Sequence, residues 1–294
     1  MKTLRETILS ETTLSEALFN KKNLEKPQAN SKYKLTDESI EWFGHKLYRI
    51  QSLKNLDFVK VGDLGGWVES LDNLSEKGKC WVSDNAKVVG YARVSDNALL
   101  YDNVEVYDRA QVSGNVILCD NVAVCGDAQV YEKVRIEKNV KIYGNAKVSG
   151  SGDIGDDVGI YGNAKVKTRD YIGGNVEIYD NATIEGDVRL LENVQVYGSA
   201  KVLDDCVIYG DAKIFGNAIV KDQSGVLVNA IICDNAVVEG ESEISGDVKI
   251  CGNSKIVDSA ISGKCVIRGN SHINNSVISN DKVYNSKIID DVKE

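Results

Sequence analysis

From Val82 to Ile256 every sixth residue is Val, Ile or Leu, thirty positions in succession without a break. A period this strict belongs to a chain wound into short strands that stack coil upon coil. The rest of the hexad agrees. With the aliphatic residue as position 1, position 5 is nearly always small, as at Ala86, Ala92, Ala146, Ala164 and Ala212. Positions 5, 6 and 1 then alternate inward, outward, inward, which makes one short strand. Positions 3 and 4 are Gly or Asp followed by Asn or Asp, as in Gly144-Asn145, Gly162-Asn163, Asp180-Asn181 and Gly216-Asn217. These residue types tolerate left-handed backbone and turn a corner. Three strand-and-corner units give an 18-residue coil, and thirty hexads give ten coils, about 48 Å at ~4.8 Å per coil. Asp170 breaks the rule at a position 5 and reads as a bulge or exposed kink in preference to a buried functional carboxylate. After Ile256 the spacing shifts through Ile261, Ile267, Ile273, Ile278, Val283 and Ile288, so the coil is expected to continue in a tighter or distorted form and cap its own end.

Composition narrows the function classes. The 294 residues include 26 Gly and one Pro, so corners are made by Gly, Asn and Asp. A net charge of −9 argues against a nucleic-acid grip, which needs a basic stripe. Residues 1–20 lack the apolar core of a signal peptide, and no apolar run reaches membrane-spanning length. Seven cysteines without a CxxC suit a reducing compartment, so a cytoplasmic location is expected.

The pattern [VI]-x-[GD]-[ND]-[AV]-x over residues 82–261 resembles the hexapeptide repeat of left-handed parallel β-helices. That resemblance implies left-handed coils of triangular section. Residues 31–81 do not follow the hexad. Lys34-Leu35, Ile40 to Trp42 and Lys46 to Ile50 read as short strands around a turn at Phe43-Gly44-His45, and Trp42, Trp67 and Trp81 are suited to cover the open end of a solenoid. The succession Tyr33-Lys34-Leu35-Thr36, Leu47-Tyr48-Arg49-Ile50, Gly62-Asp63-Leu64-Gly65-Gly66-Trp67-Val68-Glu69, Asn73-Leu74-Ser75 and Trp81-Val82 is similar to the YdcK-like hexapeptide-repeat proteins over residues 33–290. The resemblance implies a fold and a connection to phages, prophages and bacteria, but no established activity. Residues 1–30 lie outside it. Thr3 to Phe19 reads as a short helix with Leu4, Ile8, Leu14, Leu18 and Phe19 partly on one face, and Lys21 to Asn30, with Pro27, as a linker. The expected architecture is all-β: a left-handed parallel β-helix (82–261), a small N-terminal β cap (31–81), irregular C-terminal coils (262–294) and a short N-terminal helix with its linker (1–30).

An 18-residue coil stacks Tyr107, Cys125, Tyr143, Tyr161, Tyr179, Tyr197, Phe215, Cys233 and Cys251 in one outward column. Tyr143, Tyr161, Tyr179, Tyr197 and Phe215 are the first candidate binding edge, because Tyr is favoured at interfaces. The same column can equally be a self-stabilising ladder, as can the adjoining Asn145, Asn163, Asn181, Ser199, Asn217, Asn235 and Asn253. Cys233 and Cys251 fall within disulfide reach, with a reduced stacked pair expected. The helical face of Leu4, Ile8, Leu14, Leu18 and Phe19 is the second candidate, either docked on the coils or free to bind a partner.

Left-handed β-helices are best known from acyltransferases and γ-class carbonic anhydrases. The latter need three His ligands for zinc, whereas this chain has two His residues, His45 and His272. Acyltransferases of this fold use a catalytic His and often a loop thrown out of the coil; unbroken hexads leave no such loop, and neither His lies in them. The expectation is therefore a non-catalytic interaction or scaffold protein with a protein partner, forming a homodimer or homotrimer, with no cofactor, metal, nucleic acid or membrane. The phage resemblance implies a host defence or regulatory protein as that partner. An acyltransferase with an atypical site and a self-assembling structural protein are the alternatives.

Overall fold

The structure is a computed structural model that describes residues 32–293. The helix expected at the N-terminus, with Leu4, Ile8, Leu14, Leu18 and Phe19, lies outside the described residues. From Trp81 onward the chain forms a parallel β-solenoid of about 12 turns, its strands gathered into three sheets. A regular hexad supplies a two-residue strand from positions 6 and 1, and its partner lies 18 residues on, as in Ile142↔Ile160↔Ile178. All thirty aliphatic residues of the period are at most 1% exposed, so the inward reading of position 1 holds without exception.

The corners divide two tasks between neighbouring residues. Position 3 takes the positive φ, as at Asp108 (61°), Gly144 (73°) and Asp180 (58°). Where position 3 is Asp, its carboxylate also accepts the position-3 N–H of the next coil: Asp96 from Gly114 at 2.9 Å, Asp108 from Gly126 at 3.0 Å and Asp234 from Gly252 at 2.9 Å. These are amides that a sharp corner removes from the strand ladder and that need a partner. Position 4 supplies Asn ladders. Asn145 donates to Asn163 and Asn163 to Asn181 at 2.9 and 3.0 Å, and the line resumes beyond Ser199 from Asn217 through Asn235 to Asn253. A second ladder, from Asn85 through Asn103 and Asn121 to Asn139, occupies another corner.

Asp170 is half-exposed, with its carboxylate 2.8 Å from Arg189, which agrees with a kink and not with a buried acid. The buried place is taken by Thr168, fully enclosed, whose hydroxyl accepts from the Asp170 N–H at 3.2 Å. One coil below, Gly152 makes room: a Cβ there would lie 2.1 Å from the Asp170 carbonyl oxygen. Past Ile256 the coil does continue, with register partners 17 residues apart (Lys249↔Val266) and finally 16 (His272↔Ile288).

Ahead of the coils stand β1 (Tyr33–Trp42), β2 (His45–Ser52) and β3 (Leu64–Val68), which pair antiparallel in order and extend one of the three sheets. β3 then runs parallel to Lys87–Val88, the first strand of that sheet within the coils. Gly65 and Gly66 allow this junction: a Cβ on either would come within 2.5 Å of a carbonyl oxygen, of Val82 and Ala86 respectively. Of the three tryptophans, Trp81 alone is buried; Trp42 and Trp67 remain half-exposed, the latter under the Arg49 guanidinium. Asn73, buried at the end of the short 3-10 turn Leu71–Asn73, donates to the Gly90 and Ala92 carbonyls and accepts from Ser70 N–H, tying this segment to the coil edge. Among the described residues, no helix is long and apolar enough to cross a membrane.

Candidate functional site

The sheet extended by β1–β3 is also the one whose strands end in the aromatic column. Tyr143, Tyr161, Tyr179, Tyr197 and Phe215 form a continuous stack, with successive ring centroids 4.7, 5.0, 4.9 and 4.9 Å apart and planes within 6° of parallel. The spacing is that of the coils, so the backbone period sets the stack. The Tyr161 hydroxyl donates to Glu177 at 2.6 Å. Burial among neighbouring rings, then the Glu177 carboxylate, pushes the Tyr161 phenol above its ordinary range. Cys125 separates the stack from Tyr107, and Trp42 lies against Tyr107 with centroids 5.6 Å apart.

Tyr107 thereby joins the column to a groove of about 550 Å³ between the β1–β2 hairpin and the first coils. Its aromatic walls are Trp42, Phe43, Tyr91 and Tyr107, and it carries the carboxylates of Glu105 and Asp108. The hairpin turn that builds one wall is Phe43-Gly44, with φ of 44° and 84°. Both residues of such a turn require the left-handed region, where Asn-Gly is the favoured pair. Phe43 is 87% exposed, and Tyr91, which lines the same groove, is 82% exposed.

A second hollow shares His45 and Tyr91 with the first and is bordered by Glu69, Asp72 and Arg93. His45 Nδ1 lies 3.1 Å from Glu69, whose other contact is the Gly90 N–H at 2.6 Å. Partial burial opposes ionisation of Glu69, but the Gly90 N–H and His45 outweigh it and hold the carboxyl below its usual range. Glu105 accepts from the Trp42 indole N–H at 3.2 Å and pairs with Lys87 at 3.3 Å.

At the far end of the column, Cys233, Asp234 and Cys251 place their ligand atoms within 4.8 Å of one another. Both cysteines are free thiols. Burial, and then the neighbouring Cys251, pushes the Cys233 thiol up to about 12. This trio could hold a soft thiophilic ion, although the Asp234 carboxylate already serves its corner by accepting from Gly252. His272 is exposed on its strand, between Lys255 and Ile288, far along the chain from His45.

The column was readable from the 18-residue spacing; the groove was not. Two anomalies in the sequence mark it. Phe43 stands in a hairpin turn where Asn is preferred, and Tyr91 stands at a position 4, in the same column as Asn145 and Asn163.

No protein-family model matches the chain, and no curated protein matches it.

Proposed function

We propose that the chain is a non-catalytic binding scaffold of the left-handed hexapeptide-repeat class, a rigid rod of triangular section that offers one aromatic line to a protein partner. The carrying observation is the alignment of aromatic rings along one side of the coils, from the open groove at Phe43 and Tyr91 through Trp42 and Tyr107 and, past Cys125, to the stack from Tyr143 to Phe215. Two large rings left more than four-fifths exposed beside a groove are costly in water and are typical of a surface that is covered in use. In this reading the chain is a cytoplasmic homodimer or homotrimer. Its resemblance to phage-associated proteins makes a host defence or regulatory protein the partner, and residues 1–30 an added contact. Replacing Tyr161, Tyr179 and Tyr197 together by Ser tests the edge; unchanged partner capture and unchanged oligomer mass would reduce the stack to a purely structural ladder. Capture by a chain lacking residues 1–30 tests the helix in the same way.

The His45–Glu69 pair favours a second reading, acyl transfer. His45 lines the groove, and a carboxylate on Nδ1 is the partner that would orient a catalytic His with Nε2 as its base. Calorimetry with acetyl-CoA separates the two readings: binding that is lost in His45→Ala supports the enzyme, and absence of heat supports the scaffold.

A further inference from the structure

We infer that the groove between the β1–β2 hairpin and the first coils binds a basic peptide segment, seating one Lys ammonium or Arg guanidinium against Trp42, Phe43 and Tyr107. This rests on the scaffold reading and names the chemistry of the partner. In the stack the rings are parallel and cover one another's faces, leaving little π surface for a cation. In the groove Phe43 meets Trp42 at 89° and Tyr107 meets it at 58°, with centroids 4.7 and 5.6 Å apart, so these rings do not cover one another face to face, and all three line the groove. Cations are held by ring faces arranged as walls.

Glu105 and Asp108 lie in the groove, and Glu69 and Asp72 border the hollow beside it, against Arg93 and the Lys87 ammonium that pairs with Glu105. The chain as a whole carries −9. Elsewhere its own cations already cover aromatic faces, Lys46 over Tyr48 at 5.4 Å and Arg49 over Trp67 at 5.3 Å. Among the described residues, no cation lies over the rings of the groove.

Phe43 combines 87% exposure with a φ of 44°, where Asn would relieve both penalties.

The test is fluorescence anisotropy of the full chain with a labelled Gly/Ser peptide carrying three Lys or Arg residues, beside the same peptide with norleucine or citrulline in their place. The cationic peptides are expected to bind at least about tenfold more tightly, with affinity falling as salt rises. Phe43→Asn and Tyr91→Asn should each weaken binding about tenfold or more, and Phe43→Asn should also raise the thermal midpoint, which excludes misfolding as the cause. Equal affinity for charged and neutral peptides, no binding of either, or preferential binding of a neutral oligosaccharide overturns the assignment. If Phe43→Asn still captures the natural partner while the triple Tyr→Ser variant does not, the groove proposal fails and the scaffold reading stands. Loss in neither variant removes both.

Discussion

The rings of Tyr179 and Tyr197, one coil apart, stack at a centroid distance of 4.9 Å with an interplanar angle of 0°. The distance lies in the range of offset aromatic pairs, each worth about 0.5–1.5 kcal/mol beyond the area buried. Tyr179 makes this contact on both sides, since Tyr161 lies 5.0 Å away. Tyr179→Ser is therefore expected to cost roughly 1–3 kcal/mol, seen as a lower urea midpoint with an unchanged far-ultraviolet spectrum. A variant as stable as the parent would show that the column contributes nothing to the coil.

Val228 occupies a corner position 3 with φ of 66° and is 42% exposed. Left-handed backbone costs a β-branched residue about 1–2 kcal/mol, and Asn visits that region far more readily. Val228→Asn should stabilise by about 1 kcal/mol, raising the thermal midpoint by roughly 2–4 °C. Differential scanning calorimetry reads this directly; a lower midpoint would mean that the Val228 side chain contributes more by packing than its backbone loses.

Gly66 sits where a Cβ would lie 2.5 Å from the Ala86 carbonyl oxygen and 2.8 Å from Val82 Cγ1. Gly66→Ala must separate β3 from the first coil, at a cost of about 1–3 kcal/mol or more. Because each coil contacts only its neighbours, the damage should stay local. Hydrogen exchange should accelerate in β2 and β3 while amides beyond Asn145 keep their protection; a uniform loss would contradict the independence of the coils.

Stability should be limited on both sides by ionisation. The Asp156 carboxyl is held down to about 2 by Lys138, by the Tyr171 hydroxyl and by the Gly174 N–H, against an ordinary 3.8. A depressed folded-state value stabilises fully above pH ~4, and that contribution is lost as pH falls toward ~2. Asp222, held down first by the Gly240 N–H, acts in the same direction. On the alkaline side burial raises the phenols of Tyr161, Tyr179 and Tyr197 above the ordinary 10.0. Their neutral forms favour the fold below pH ~10, and this contribution is lost as pH rises past it. Thermal midpoints followed by circular dichroism should fall at both extremes, and absorbance at 295 nm should show phenolate appearing together with alkaline unfolding. Tyrosine ionisation at its ordinary pH in an intact fold would contradict the alkaline half.

What the sequence reveals depends on whether a residue obeys the period. The inward set from Val82 to Ile256, the Asn ladders and the stack from Tyr143 to Phe215 all follow from counting by six and by eighteen, because a parallel coil places residue i over residue i+18. The Asp170 region resisted the same count. There Thr168 fills the interior from a position 3 while Gly152 admits the backbone, a compensation between two coils that no single hexad displays. The groove is illegible for a different reason. Phe43 and Tyr91 are brought together by an antiparallel hairpin folding back along a sheet edge, and no repeat relates them. What the chain does show is that each stands where Asn is the favoured residue.

The ties that hold this fold, from Asn145 to Asn163, from Asp108 to Gly126 and from Tyr179 to Tyr197, all span one coil of 18 residues in a chain of 294. A separation of 18 residues is about 0.06 of the chain length, nearer to helical bundles than to ordinary sheet proteins. A parallel sheet ordinarily assembles slowly because its strands meet only after long loops close. Here each coil closes a short one and then serves as the template for the next, so the architecture carries the kinetics of local structure. Refolding that nucleates locally and spreads from coil to coil, read by stopped-flow, is the consequence.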